Sequence, residues 1–463
     1  MRQMQRAQPL ALLLVFAGCG TPAREAGANG WRASAPLATA QDLDPTPRIV
    51  EVNLTADETM WTFAPGRAIE GNAYNGTVPG PTIEARVGDT LVVHFTNRLS
   101  EPTTIHWHGV RVPIEMDGGP HSQAPVPPGG TFEYRFTLPD AGTFWYHPHA
   151  NEPEQMERGL YGAIVVRGDE EPIVDAESVV MLDDLLLDDS GALAPFGSQL
   201  EVHGGREGDV QLVNGTLTPN ITVRPGERQR WRIVNAGSAR IYQLAMHGRA
   251  MTVIGSDGGL WEAPETVTSL IVAPGDRFDV LVEMDTEMDE LVAQVYARGH
   301  GQGVFTEAHL LHLLPTPQPV LPALPPYVST TRIEHLDDMA IAPREVTFDE
   351  VTDASGTRFF VNGETFPDVT PIDSRVGQVQ VWDLVNRSEM THPFHLHGFF
   401  FQVLSRNGVE TTSRTWEDTF EFHGEDHVRI AFRPDDRPGM WMFHCHILEH
   451  VHAGMMGMVD VAR

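Results

Sequence analysis

The stretch NGTVPGPTIEARVGDTLVVHFTN, residues 75–97, decides how this chain folds. Asn75-Gly76 opens a turn, an extended segment follows, and Gly88 makes a second tight turn. The apolar run TLVVHF then leads to Asn97, nine residues after Gly88. The unit returns twice. NGTLTPNITVRPGERQRWRIVN (214–235) sets Asn235 nine residues after Gly226, and NGETFPDVTPIDSRVGQVQVWDLVN (362–386) sets Asn386 nine after Gly377. Copies spaced about one domain apart imply three β-sandwich domains of similar topology.

The rest of the chain agrees. Runs such as FEYRFTL and GAIVVRG are strand-length, Gly, Pro and Asn punctuate them, and long helical periodicity is rare. That is an all-β pattern. Breaks are expected in the polar RGDEEPIVD (167–175) and the Pro-rich PTPQPVLPALPP (315–326), giving domains over 48–170, 171–315 and 316–463. Residues 20–47, rich in Gly, Ala and Pro, read as a flexible linker. Ahead of it, Arg2 and Arg6 precede the apolar PLALLLVFAG, so residues 1–19 read as a secretory signal, too short to span a bilayer. Phe16-Ala17-Gly18-Cys19 resembles a bacterial lipobox, and a lipid on Cys19 would be the only attachment to a membrane. The chain is expected to be exported, periplasmic or lipid-anchored at the cell envelope. It has no twin-arginine pair, which points to export unfolded and metal loading outside the cytoplasm.

The 63 acidic residues outweigh 32 basic ones, all of them Arg, for a net charge of −31. Phosphate binding needs clustered cations, so nucleic acid is excluded as a partner. Small molecules and a monomeric state are expected instead.

Histidines follow the repeat. After Asn97 comes His106-Trp107-His108, and after Asn386 comes His392-Pro393-Phe394-His395-Leu396-His397; the second copy offers only His247-Gly248. His147-Pro148-His149 closes the first domain and His444-Cys445-His446 the third. Residues two apart on a strand face one side, so each pair can aim two imidazoles into one space. One such pair is a weak signal, but four at matching places in two copies are a strong one. The middle domain reads as a spacer without copper ligands.

Ligand type narrows the metal. Zinc structural sites want more cysteines, and magnesium or calcium want carboxylates. Two His, one Cys and a weak axial Met form the blue-copper set, which His392, Cys445, His450 and Met455 fit. Eight further imidazoles suit a copper cluster with open positions.

On the motifs HWHG, HPH, HPFHLHG and HCHILEHVHAGM, the chain from about residue 48 onward resembles a three-domain multicopper oxidase of the bacterial laccase and cuprous-oxidase kind. The resemblance implies three cupredoxin-like Greek-key sandwiches and four copper ions. By motif position, His392, Cys445, His450 and axial Met455 would bind type 1 copper, and His106 and His395 type 2. His108, His147 and His446 would bind one type 3 ion, and His149, His397 and His444 the other. The implied activity is a laccase-like oxidation of phenols or aromatic amines with O₂ as acceptor. A metallo-oxidase acting on Cu⁺ is the alternative. A copper-free scaffold on the same fold would have lost the ligands, which are complete here.

Reducing O₂ also needs protons. Asp117, nine residues after His108, stands where the resembled enzymes carry an aspartate that assists protonation, and also makes an Asp-Gly-Gly turn. Glu449 is a candidate to orient His450 or a water. Many relatives have Glu after the last ligand histidine, whereas this chain has Val451. Asp418 reads as a turn residue. Histidines 94, 121, 203, 247, 300, 309, 312, 335, 423, 427 and 452 read as structural or surface groups.

Overall fold

The computed structural model describes residues 32–33, 37–296, 307–336 and 342–463; the signal segment, Cys19 and His300 lie outside them. Among the described residues six sheets form three sandwiches of cupredoxin-like all-β type. In the first, a sheet of Arg67–Tyr74, Ile49–Ala64, Thr90–Asn97 and Thr131–Thr137 opposes one of Gly80–Arg86, Gly162–Arg167, Gly142–His147 and His106–His108. Val93, Phe95, Trp107, Tyr134 and Ile164 fill the space between them. The middle sandwich is built around Trp231, Ile233 and Leu244, and the third around Trp382, Phe394 and Phe443.

The repeat is the same device three times. Asn75 and Gly76 (φ 52° and 75°), Asn214 and Gly215 (51° and 70°), and Asn362 and Gly363 (53° and 76°) all take the double positive φ of a type I′ turn. In each copy the strand that ends at the closing Asn pairs in parallel with an earlier strand. The closing Asn is buried. Its Nδ2 donates to two carbonyls, of Glu101 and Val126 for Asn97, Arg240 and Val272 for Asn235, and Met390 and Phe422 for Asn386. A buried amide satisfied in this way pins the loop that follows. In the first and third copies that loop carries the histidines.

The segment expected to be a flexible linker is docked over part of its length. Thr82 N–H donates to Ala38 O (2.7 Å), Ala40 N–H to Thr82 O (2.8 Å) and Leu43 N–H to Glu51 O (2.8 Å), while Arg32–Ala33 pairs with the strand Asn220–Val223. Gly80–Arg86 and Asn220–Val223 would otherwise expose unpaired backbone at a sheet edge. Composition says nothing of an edge waiting to be covered.

Among the described residues no helix is long and apolar enough to cross a membrane. Three short helices, Glu152–Glu157, Gln199–Gly204 and Leu448–His452, pack together near the histidines. The second starts with a capping box, Ser198 Oγ accepting from Glu201 N–H while the Glu201 carboxylate accepts from Ser198 N–H.

Candidate metal centre

Two antiparallel strand pairs build the centre. His106 lies opposite His147 in the first sandwich, and His395 opposite His444 in the third. Strand alternation sends His444 and His446 to one side and Cys445 to the other, into the core of the third sandwich. The eight paired histidines are all buried. The His106 and His397 rings stack at 3.9 Å, and those of His108 and His395 at 3.8 Å, so the two sandwiches meet ring to ring.

Hydrogen bonds on one side of each ring fix which nitrogen faces inward. Nδ1–H donates to a carbonyl in His106 (Asp117 O, 2.8 Å), His147 (Pro148 O, 2.9 Å), His395 (Asp418 O, 3.0 Å) and His444 (Cys445 O, 2.8 Å). In His397 it donates to the Asp117 carboxylate (3.0 Å). Nε2 is therefore a bare lone pair in all five. Those of His106, His147 and His395 are buried without any protein partner. Those of His397 and His444 point at each other across 3.0 Å. Facing lone pairs repel unless a cation lies between them. Burial pushes His108, His147, His397, His444 and His446 well below the ordinary imidazole range, which leaves them neutral, the state a metal ligand needs. The donor set fits copper.

Ligand atoms of His149, His397 and His444 come within 4.8 Å of one another, the expected trio. His108 and His147 close on His106 rather than on His446, whose ring lies 5.1 and 5.8 Å from theirs. His106 and His395 close with His397 as a third member.

The second group is smaller. His392 Nδ1 and His450 Nδ1 each lie 3.6 Å from Cys445 Sγ and 3.1 Å from each other. Their far nitrogens are engaged. His450 Nε2–H donates to His203 O (3.2 Å), and His392 Nε2–H to Ser388 Oγ (2.9 Å), whose own proton goes to Asn386 Oδ1. The inward atoms are thus two lone pairs and a sulfur. Burial pushes the Cys445 thiol up, opposed by the Ile447 N–H that donates to Sγ (3.4 Å), so without a metal it stays protonated. Met455 is fully buried in the same core, its backbone paired with Cys445 and His450. Met455→Leu is expected to raise the potential of the blue site and leave the other ligands in place, since loss of a weak thioether disfavours oxidised copper. Redox titration of the blue band checks this, and an unchanged potential would move the axial role elsewhere.

Carboxylates surround the cluster. Asp117 faces both His397 and His106; burial pushes it up, but the two imidazoles hold it well below the usual range. Asp418 is a buried clamp rather than a simple turn residue. Its oxygens take Arg277 Nη1 and Nη2 (2.5 and 2.6 Å) and His108 Nε2 (3.1 Å), and Arg277 outweighs burial to keep it ionised. Glu152 contacts His149 and lifts its pKa against the effect of burial. Sequence reasoning passed over Glu152, although its place three residues after His149 was visible. Glu449 accepts from the Arg206 backbone N–H (3.1 Å), and burial pushes it up to about 7. Val451 packs with Met442, Met456 and Met458. The middle sandwich is more than a spacer. It supplies Arg277, the His203 carbonyl, and Gly275, where a Cβ would come within 2.9 Å of His446 and 3.1 Å of His108.

Family models described as multicopper oxidase match the chain over residues 55–171, 175–309 and 340–463. The multicopper oxidase MmcO of Mycobacterium tuberculosis is 31% identical, over 96% of this chain and 93% of that one. A laccase of Bacillus subtilis is 25% identical, over 84% and 90% of the two chains. A solved multicopper oxidase from Campylobacter jejuni, described as a metallo-oxidase, superposes with a TM-score of 0.82 at 30% identity, covering 93% of this chain and 95% of that one.

Proposed function

The chain belongs to the multicopper oxidase family, and from that premise we propose that it is a laccase-like enzyme drawing single electrons from phenols or aromatic amines and reducing O₂ to water. It is a copper-binding oxidoreductase using O₂ and a reducing substrate. The reading is supported above all by one covalent segment. Cys445 belongs to the sulfur group, while of its neighbours His444 closes with His149 and His397 and the His446 ring lies 5.1 Å from that of His108, so the backbone joins the sulfur group to the imidazole cluster.

His392, Cys445 and His450, with Met455 axial, would hold type 1 copper, and His106 with His395 type 2. His108, His147 and His446, and His149, His397 and His444, would hold the type 3 pair. Copper at these positions supplies one-electron storage, and O₂ reduction to two waters takes four electrons. The chain supplies orientation and protons. Backbone carbonyls hold His106, His147, His395 and His444 in one tautomer, and Asp117 holds His397 while keeping a carboxylate beside the cluster. Glu449 is a second buried carboxyl, next to His450 in sequence. Export and a lipid on Cys19 belong to this reading, supported by the basic and apolar start of the chain, as does a monomeric enzyme.

One observation favours a cationic reductant. Glu350 Oε2 lies 3.9 Å from His392 Nε2, buried and without a hydrogen-bond partner. Burial, then Asp349 and Glu389, push its carboxyl up to about 7. A carboxylate there would draw Cu⁺ to the edge of a type 1 ligand. O₂ uptake is to be compared with Cu⁺ and with a phenol, in the parent and in Glu350→Gln. For a laccase, the phenol rate exceeds the Cu⁺ rate and Glu350→Gln changes neither by more than about twofold. For a metallo-oxidase, the variant loses about tenfold or more with Cu⁺ alone, the effect of one lost charge contact. No O₂ uptake by the copper-loaded chain with either reductant would defeat both.

A further inference from the structure

The middle sandwich gathers a second group of imidazoles, outside the copper centre. Strand Asp289–Gln294 pairs with Ala308–Pro315, and the register slips between Leu291, opposite Leu311, and Val292, opposite His309. Leu310 is the extra residue. Without it His309 and His312, three apart, would face opposite sides of the sheet. The bulge turns Leu310 and Leu311 both into the core and leaves both histidines outward, on the side of Glu290.

The result is convergent. His309 Nδ1 lies 2.7 Å from Glu290 Oε2, and His312 Nδ1 lies 3.0 Å from Oε1. His247, on the turn after Tyr242–Met246, brings Nδ1 to 3.9 Å from Oε2, while its Nε2 bonds Glu307. The carboxylate is 16% exposed and the three imidazoles 29 to 56%, so a charged floor is ringed by donors that solvent reaches. The neighbouring cation, Arg249, is tied to Asp285 and Asp289. Ion pairs this exposed add little to stability, so the fold alone does not account for three imidazoles on one carboxylate.

We propose that Glu290, His309, His312 and His247 form an exchangeable binding site for a borderline divalent cation, zinc or cupric, separate from the copper centre. Three nitrogen donors and one carboxylate oxygen are a ligand set of that class and not of calcium or magnesium. Ligand atoms around a tetrahedral zinc ion with bonds near 2.0 Å stand about 3.3 Å apart; here each imidazole meets a carboxylate oxygen at 2.7 to 3.9 Å, while the His309 and His312 rings stand 6.2 Å apart, so the nitrogens meet Glu290 rather than one another. The solvent-facing rings need only turn for the ion to replace the N–H contacts to Glu290. The net charge of −31 raises the local cation concentration.

The test is calorimetric titration of the copper-loaded full chain with Zn²⁺, which leaves the blue band readable. The parent is expected to take up about one zinc per chain at this site. His309→Asn combined with His312→Asn should abolish that uptake, and Glu290→Gln should weaken it by more than about tenfold. Blue absorption and phenol turnover should stay at parent values in all three proteins, which shows the variants are folded. No zinc uptake by the parent, or equal uptake by parent and double variant, overturns the proposal. Cu²⁺ added to the parent should displace the zinc and give a new nitrogen-coordinated paramagnetic signal that the double variant lacks.

Discussion

Cys445→Ser is expected to yield a folded, colourless protein with no oxidase turnover on any reductant. The side chain is fully buried beside Met455 and Ile447, and serine differs from it by one atom of similar reach, so the core is disturbed little. The hydroxyl is a hard, weakly acidic group that cannot stand in for a thiolate between His392 and His450. Type 1 copper is lost while the imidazole cluster keeps its ligands, so copper content should fall by about one ion per chain. Visible absorption, metal analysis and O₂ uptake measure the three effects, with circular dichroism to verify folding. A colourless variant that oxidised phenols at the parent rate would sink the assignment of Cys445.

Asp117→Asn should slow reoxidation of the reduced enzyme by O₂ about a hundredfold or more, the usual worth of a positioned acid–base group that relays protons. Reduction of the blue copper by substrate should keep its parent rate, because Asp117 touches His397 and His106 and not the sulfur group. The amide preserves shape and one acceptor for His397 but removes the charge and the oxygen that can take up a proton and pass it on. Single-turnover reoxidation followed by stopped flow separates the two steps. Equal reoxidation in variant and parent would make Asp117 a turn residue, and Glu152 and Glu449 the next carboxylates to replace. Val451→Glu should not rescue the loss. Its side chain would enter the apolar group of Met442, Met456 and Met458, where burial keeps a carboxyl protonated.

By itself the sequence determined whatever depends on local spacing. The Asn-Gly turns, the Gly nine residues before each closing Asn, and the HxH alternation are short-range patterns, and backbone sterics and strand periodicity allow them few structures. Those patterns sufficed for an all-β chain of three similar sandwiches, and ligand type for grouping His392, Cys445 and His450, whereas the grouping of His149, His397 and His444 came from the resemblance to multicopper oxidase motifs. The tertiary structure decided what depends on distant segments meeting. Asp418 looked like a turn residue because Arg277, its partner, lies 141 positions away in another sandwich. Glu152 and the His203 carbonyl become parts of the centre only once three short helices pack together. His309 and His312 looked like scattered surface groups, since a bulge, which no periodicity reveals, puts them on one face. Burial and the charged partners it brings together, which set the protonation of Asp117, Asp418 and the cluster imidazoles, are properties of the assembled fold and of no single segment.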